Sequence, residues 1–467
     1  MNEFFILMQQ ELLLTAIIFI LLFVKLAAKE IEAKTLLLLT NILLGINLVA
    51  GFFSTASGSL FGDMFHTSEL LHLEKNILNL GTLIISLQSY NWLMKHKHAA
   101  EFYILMLSTL LGMFFMLSSS NLLMFYVGLE LASIPLAAMA NFDLDKKRSA
   151  EAAMKYIISS AFASGLLLFG ISMMYGVAGS LNFADLKAIA SATPLFLFSF
   201  VLIIAGFGFK ISAVPFHLWT ADVYEGSPIA VTSYLSVISK GSMIFVMTSV
   251  LFTVFDKLFF QWYNIMAVLA VLSMIVGNLF AIRQQSIKRF LAFSSISQVG
   301  FILIGVSGGD NTGFSSVIYF VLIYIFSNLA AFGVLSLVST EKGKETIDDF
   351  KGFYKTNPLL TWVLAIALFS LAGIPPTAGF FGKFFLILAG AGRNNYLLIT
   401  IAALNMVVSL YYYLRIIKAM FMDANEAPIE KVEMGWSPKL AMAICVGGIV
   451  VTGLVSGAYE YIYSLVK

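Results

Sequence analysis

The chain has 467 residues, of which 60% are hydrophobic and only 12% charged, with a mean hydropathy of +0.91. Soluble chains carry roughly 45–50% apolar and about 25% charged residues. A soluble globule has no place for this much apolar surface, so most of it is solvated by lipid in a polytopic membrane protein. A net charge of +2 points to no nucleic acid or acidic substrate, and the single cysteine, Cys445, excludes an intrachain disulfide or a cluster held by this chain's thiolates alone.

A helix needs about 20 apolar residues to cross the hydrocarbon core. The N-terminal MNEFFILMQQELLL lacks the basic start and small-residue cleavage site of a secretory signal and reads as the beginning of a retained helix. In chain order the expected spans are 6–24, 35–54, 70–93, 101–118, 121–140, 152–176, 194–217, 227–254, 262–282, 289–307, 313–338, 358–390, 396–421 and 439–463. The twelfth is too long for one straight helix and contains GIPPTAGFFGKF, so it is expected to break near Pro375 and Pro376. The polar stretch LWTADVYEG, residues 218–226, reads as a loop.

Lysine and arginine concentrate on the cytoplasmic side of membrane proteins. With the N-terminus outside, 19 of them, including Lys25, Lys29, Lys34, Lys95, Arg283, Lys342 and Arg415, fall in cytoplasmic loops. Five, Lys75, Lys187, Lys257, Arg393 and Lys467, fall on the opposite side. One missed span would invert every later loop, so the split supports fourteen helices with both termini on the periplasmic side of a bacterial inner membrane.

Four cations remain inside spans: Lys155, Lys210, Lys240 and Lys383. Glu130 is the acid deepest in an apolar stretch, with Glu11 and Glu460 nearer span ends, and His217 is the histidine at a membrane helix. A charge at mid-bilayer costs about 2.5–3.5 kcal/mol on insertion scales, so such groups are expected to face inward, meet one another and touch water. Lysine gains and loses a proton readily when buried; arginine, absent from the set, does not. Lys155 lies one turn from a loop and has bland readings too, snorkelling or an i, i+4 pair with Glu151. His217 has one as well, capping broken backbone.

Pro135 and Pro215 follow Glu130 and Lys210 by five residues, freeing the carbonyls of Leu131 and Ile211 beside each charge. Hydrated helix breaks are expected there, with a simple kink at Pro135 as the alternative. AVPFHLW in span 7 and GIPPTAGF in span 12 lie five spans apart, and an odd offset implies an inverted repeat of spans 4–8 and 9–13. The expected organisation is an all-α membrane protein: residues 1–100 form an N-terminal three-helix segment, 101–255 and 256–421 two five-helix half-channels, and 422–467 a last helix.

The segments GLELASIP, EAAMKY, GFKISAVPFHLWTADVYEGSP, SVISK, QQSIKRFLAFSSISQVGF and GIPPTAGFFGKF resemble the antiporter-like subunits of proton-pumping NADH:quinone oxidoreductase, respiratory complex I, over roughly residues 100–420. Lys383, where subunit M typically has Glu, and a chain ending soon after span 14 favour the subunit N branch. The resemblance implies that Glu130 pairs with Lys210, that Lys240 is the central proton carrier, and that Lys383 is the distal group near the exit and the next pump subunit. It places Lys155 as the family's lysine on helix six and His217 in the post-break segment. It implies no cofactor or metal in this chain. NADH, FMN, iron–sulfur clusters and quinone belong to partner subunits, and the neighbours are subunits M and K. A subunit of a multi-protein cation/proton antiporter or a membrane-bound hydrogenase is the alternative.

Overall fold

The computed structural model describes residues 2–27 and 32–467, so Lys29 lies outside the described residues. Lipid offers no partner for backbone polar groups, so a spanning chain must satisfy them internally. Fourteen helical spans do this: α1 (Gln9–Ala27), α2 (Ala33–Phe52), α3 (Glu69–Gln88), α4 (Ala99–Leu117), α5 (Leu122–Ala140), α6 (Lys147–Ala178), α7a (Pro194–Ile211) with α7b (Leu218–Gly226), α8 (Ile229–Thr253), α9 (Phe259–Arg283), α10 (Ile287–Ser307), α11 (Asn311–Lys342), α12a (Pro358–Ala372) with α12b (Ala378–Ala391), α13 (Tyr396–Phe421) and α14 (Trp436–Leu454). Twelve are apolar and long enough to cross a membrane on composition alone. The others are α3, which carries acids and a lysine, and α12, whose halves are individually short. Several starts are capped from the sequence: Ser68, Asn121, Ser286 and Asp310 each accept a backbone N–H of the following turn. A hairpin of β1 (Gly58–Leu60) and β2 (Phe65–Thr67) joins α2 to α3.

The inverted repeat is written into the backbone. In the α4–α5 pair, Gly112 and Gly128 bring the two helices together; in α9–α10, Gly277 and Gly300 do the same. A Cβ on any of the four would lie 2.5–2.8 Å from backbone atoms of the facing helix. The two breaks also match. After α7a, Ser212 (φ +62°) donates to the carbonyl of Phe209, and Ala213 donates to that of Gly208. After α12a, Gly373 (φ +86°) donates to that of Ser370, and Ile374 to that of Phe369. Each is a helix end closed by a left-handed residue.

Four expectations are corrected. Pro135 does not break its span: α5 runs unbroken from Leu122 to Ala140, because one missing N–H without a neighbouring left-handed residue is absorbed within the helix. Residues 218–226 are helical, forming α7b rather than a loop. The last span ends at Leu454, and a separate short helix follows at Gly457–Val466. Lys75 is not a loop residue. It lies in α3, fully buried, and pairs with Glu11 at 2.6 Å, so Glu130 is not the only acid deep in the protein.

Candidate functional site

Three of the four lysines placed in spans are buried, and all three reach the protein interior without a carboxylate partner among the described residues. Lys210 ends α7a, one residue before the break. Its Nζ donates to Ser133 Oγ on α5 (2.5 Å) and to Tyr156 OH on α6 (3.0 Å). Glu130, one turn before Ser133, is half-buried, and its Oε1 is buried without a partner. No ion pair joins Glu130 to Lys210; Ser133 and a cavity of about 10 Å³ lie beside the lysine, room for about one water molecule. The implied pair is therefore open, with the two charges on facing helices and a hydroxyl at the lysine.

Lys240 begins the regular part of α8. The turn before it, Leu235–Ser239, is wound as a π-helix, a local widening that recurs at functional sites. Its Nζ donates to Ser295 Oγ on α10 (2.8 Å) and sits 5.3 Å from the centre of the Tyr224 ring on α7b. Tyr224 OH is buried without a partner, and Trp219 packs between Tyr224 and Tyr156 with ring centres 6.3 and 5.2 Å away. Hydroxyl-bearing rings thus line the interval from Lys210 to Lys240.

Lys383 lies on α12b and reaches back across the break. Its Nζ donates to the carbonyls of Leu371 (2.7 Å) and Ala372 (3.3 Å), the last residues of α12a, and sits 4.7 Å from the Phe301 ring. Gln298, one turn after Ser295 on α10, donates to the same Leu371 carbonyl (2.9 Å) and to Tyr413 OH (3.1 Å). The second interval therefore runs Lys240, Ser295, Gln298, Leu371 carbonyl, Lys383. Pro215 and the Pro375–Pro376 pair sit in the breaks as the sequence predicts. His217 stands at the N-terminal cap position of α7b without a side-chain hydrogen bond to that helix, and its Nδ1 is buried and unpartnered.

Lys155 stands apart. Its side chain is 42% exposed and paired with Glu151 (2.8 Å) and Asp222 (2.6 Å), so it belongs to a charged rim at the basic face. Arg289 joins Asp222 (2.8 Å) and Glu225 (3.0 Å) there. Beside this rim a cleft of about 750 Å³ is lined by His96, Asp143, Lys146, Glu225 and Lys288. Lys288 donates to the carbonyls of Glu225 and Ser227, where α7b meets α8, and that junction leads inward to Tyr224. Sequence reasoning passed over Tyr156, Tyr224, Ser295 and Gln298. The signal available was a tyrosine beside Lys155 in EAAMKYIISS and a serine–glutamine pair in SSISQVGF, which read as ordinary helix surface.

Broken, inverted helix bundles with a buried row of lysines define the class of antiporter-like subunits of ion-pumping membrane complexes. Residues 119–409 match the family described as NADH:quinone oxidoreductase/Mrp antiporter, transmembrane. The chain is 45% identical to NADH-quinone oxidoreductase subunit N of Phocaeicola vulgatus over 458 residues, 97% of each chain. It is similar to a chain of respiratory complex I from Thermus thermophilus with bound aureothin, with a TM-score of 0.82 and 27% identity over 96% of this chain and 97% of that one. A chain of the Mrp complex from Dietzia sp. DQ12-45-1b shares the fold, with a TM-score of 0.83 at 21% identity over 97% of each chain. The chain belongs to the NADH:quinone oxidoreductase/Mrp antiporter family, in its subunit N branch. It is a multi-pass, proton-translocating membrane-arm subunit.

Proposed function

We propose that the proton moves along Lys210, Lys240 and Lys383, driven by charge at Glu130 and coupled to quinone reduction elsewhere in the complex. The observation that carries this reading is the setting of Lys240, a buried amino group bonded to one serine hydroxyl and one aromatic face with no counter-charge. A cation fixed for structure would be paired, because an unpaired buried charge is strongly disfavoured. An unpaired lysine at the centre of a hydroxyl-lined row is suited to take a proton and pass it on. Charge arriving from a neighbouring subunit holds Glu130 apart from Lys210, as the two stand here, and the proton on Lys210 moves through the Tyr156–Tyr224 interval to Lys240. The new charge at Lys240 drives release at Lys383 towards the opposite face. Each proton climbs about 2.3 kcal/mol per 100 mV of membrane potential.

In this reading the basic face is cytoplasmic and the cleft beside Lys288 admits protons to Lys240. Both termini are periplasmic in a bacterial inner membrane, and residues 101–255 and 256–421 are the two half-channels, flanked by 1–100 and 422–467. Subunits M and K are the neighbours, and NADH, FMN, iron–sulfur clusters and quinone reside in partners. The test is Lys240→Ala in the assembled complex, reconstituted in vesicles with a pH-sensitive dye. Pumping should fall by on the order of 10²-fold, the usual cost of removing a proton-transfer group, while the complex still assembles. Normal pumping in that variant sinks the reading. Recovery of the chain in mild detergent with a cation/proton antiporter assembly, and without NADH-oxidising partners, would support the alternative.

A further inference from the structure

The short helix α7b carries a row of polar groups that neither its own backbone nor its neighbours satisfy. His217 Nδ1, Thr220 Oγ1, Tyr224 OH and Ser227 Oγ are all buried, and none has a hydrogen-bond partner among the described residues. The spacing i, i+3, i+7 and i+10 puts the four side chains on one face of the helix, within about 80° of one another. Leaving one buried hydroxyl unsatisfied is costly, and buried polar groups in a row are what water satisfies. The opposite side of α7b is packed instead. Trp219 lies against the rings of Phe209 and Tyr156, and a Cβ on Gly226 would run into the Arg148 carbonyl of α6.

The row has a destination at each end. Ser227 lines the cleft of about 750 Å³ on the basic face. Lys288 of α10 fixes the junction there by donating to the carbonyls of Glu225 (2.9 Å) and Ser227 (3.2 Å). One turn inward, the Tyr224 ring centre lies 5.3 Å from Lys240 Nζ. Ser295, which accepts from that Nζ, comes two turns after Lys288 on the same face of α10. The polar face of α7b and this face of α10 therefore run together from the cleft to Lys240. Thr220 and His217 continue the row to the break that follows Lys210. The scaffold does not require these groups. Counted from the left-handed residues Ser212 and Gly373, the positions on α12b that match His217, Thr220, Tyr224 and Ser227 are Ala378, Phe381, Phe385 and Leu388. The same element of the second repeat is thus apolar at all four, so the hydroxyls serve something other than packing.

We propose that this face of α7b is a water-holding conduit in which Ser227 and Thr220 are proton-carrying groups. Ser227 takes protons from the cleft, Tyr224 hands them to Lys240, and Thr220 extends the same path towards the break beside Lys210. Each hydroxyl accepts a proton on one side as it gives up its own on the other, so no charge is left on α7b. The transport role rests on the proton-translocation reading; the hydration of the face does not.

The first test reads hydration in the full chain, at rest in lipid nanodiscs, with Cys445→Ser removing the native thiol. Single cysteines are placed by Ser227→Cys, Thr220→Cys and, as a control, Val223→Cys, which is equally buried but off the polar face. Infrared spectroscopy follows the loss of the S–H stretch in D₂O. Exchange at Ser227→Cys and Thr220→Cys should be several-fold faster than at Val223→Cys. A rate at either position no faster than the control overturns the conduit. The second test is vesicle acidification by the assembled complex. Ser227→Ala should lower pumping several-fold and leave the thermal midpoint unchanged, since no hydrogen bond within the protein is lost. Ser227→Thr, which keeps the hydroxyl, should restore pumping. Parent-like pumping in Ser227→Ala, or no recovery in Ser227→Thr, overturns the proton-carrying role. If Ser227→Ala pumps normally while Lys240→Ala does not, this inlet falls and the lysine row stands; if Lys240→Ala also pumps, the reading beneath both has failed.

Discussion

Counted from its left-handed residue, each broken helix carries an ionisable side chain ten positions on: Asp222 after Ser212 and Lys383 after Gly373. The backbone around the two breaks is closed by the same pair of hydrogen bonds, yet the charges are settled in opposite ways. In the first half the lysine, Lys210, is on the segment before the break, and the acid after it faces a solvated rim where Lys155 and Arg289 hold it. In the second half the segment before the break ends in bare carbonyls, and the lysine after it turns back to bond them. Duplication supplied one scaffold. The difference lies in where counter-charge is found: at the rim Lys146, Lys155 and Arg289 each have a carboxylate, whereas along the row the lysines have hydroxyls, carbonyls and aromatic faces.

Lys383 is where the comparison is easiest to break. Lys383→Met removes the donor from Ala372 and one of two donors from Leu371, since Gln298 still reaches the latter. A buried carbonyl left without its partner costs about 1–3 kcal/mol, so the thermal midpoint should fall measurably and pumping should be lost. Lys383→Arg separates the two roles. An arginine can still donate to the carbonyls but stays protonated. The expected outcome is a restored midpoint with pumping still lost by on the order of 10²-fold. If the arginine variant pumps like the parent, Lys383 is a fixed cap, and the two halves differ only in structure.

Asp222→Asn probes the equivalent position in the other half and should do far less. Arg289 keeps Glu225, and Lys155 keeps Glu151. Partly exposed pairs of this kind contribute about 0–1 kcal/mol, screened by salt. Stability measured by thermal denaturation should therefore change within that range, the difference should shrink further in high salt, and vesicle acidification should continue. A collapse of pumping as complete as that expected for Lys383→Met would mean that the rim is part of the proton route rather than its solvated border.

Much of this was legible in the residues. Long apolar runs, basic loops and proline-rich interruptions are properties of single segments, and they suffice for fourteen spans, two broken helices and the inverted repeat. Lys210, Lys240 and Lys383 also stand out, because a charge in an apolar run is conspicuous wherever its partner lies. What escaped depends on contacts between distant segments. Lys75 sits near enough to the start of its span to pass for a loop cation until Glu11, 64 residues earlier, is seen beside it. Tyr156 and Tyr224 look like ordinary aromatic core, and only their position between two buried ammonium groups gives their hydroxyls a use. Lys155 fits its plainer reading, the i, i+4 pair with Glu151: the apolar run continues past it, but α6 begins eight residues earlier, at Lys147, and the side chain emerges at the rim.

The rim also carries a titratable histidine. His96, in the turn between α3 and α4, has its Nε2 3.2 Å from an Asp143 carboxylate oxygen and its ring against Trp92. Burial, opposed by Asp143 and reinforced by Lys146 and His98, holds its imidazole below the ordinary histidine range. A histidine depressed in the folded state contributes stability that is present above the unfolded value, about 6.5, and is lost as pH falls through the folded value. The thermal midpoint of the parent chain should therefore decline as pH is lowered from about 7 towards 5. His96→Gln, which keeps a polar side chain but cannot titrate, should flatten part of that decline and leave the midpoint at pH 8 nearly unchanged. An identical pH profile in the two chains would mean that the Asp143 carboxylate outweighs burial and keeps the imidazole charged. The basic-face cleft beside it would then hold one more fixed cation, making the rim still more unlike the lysine row.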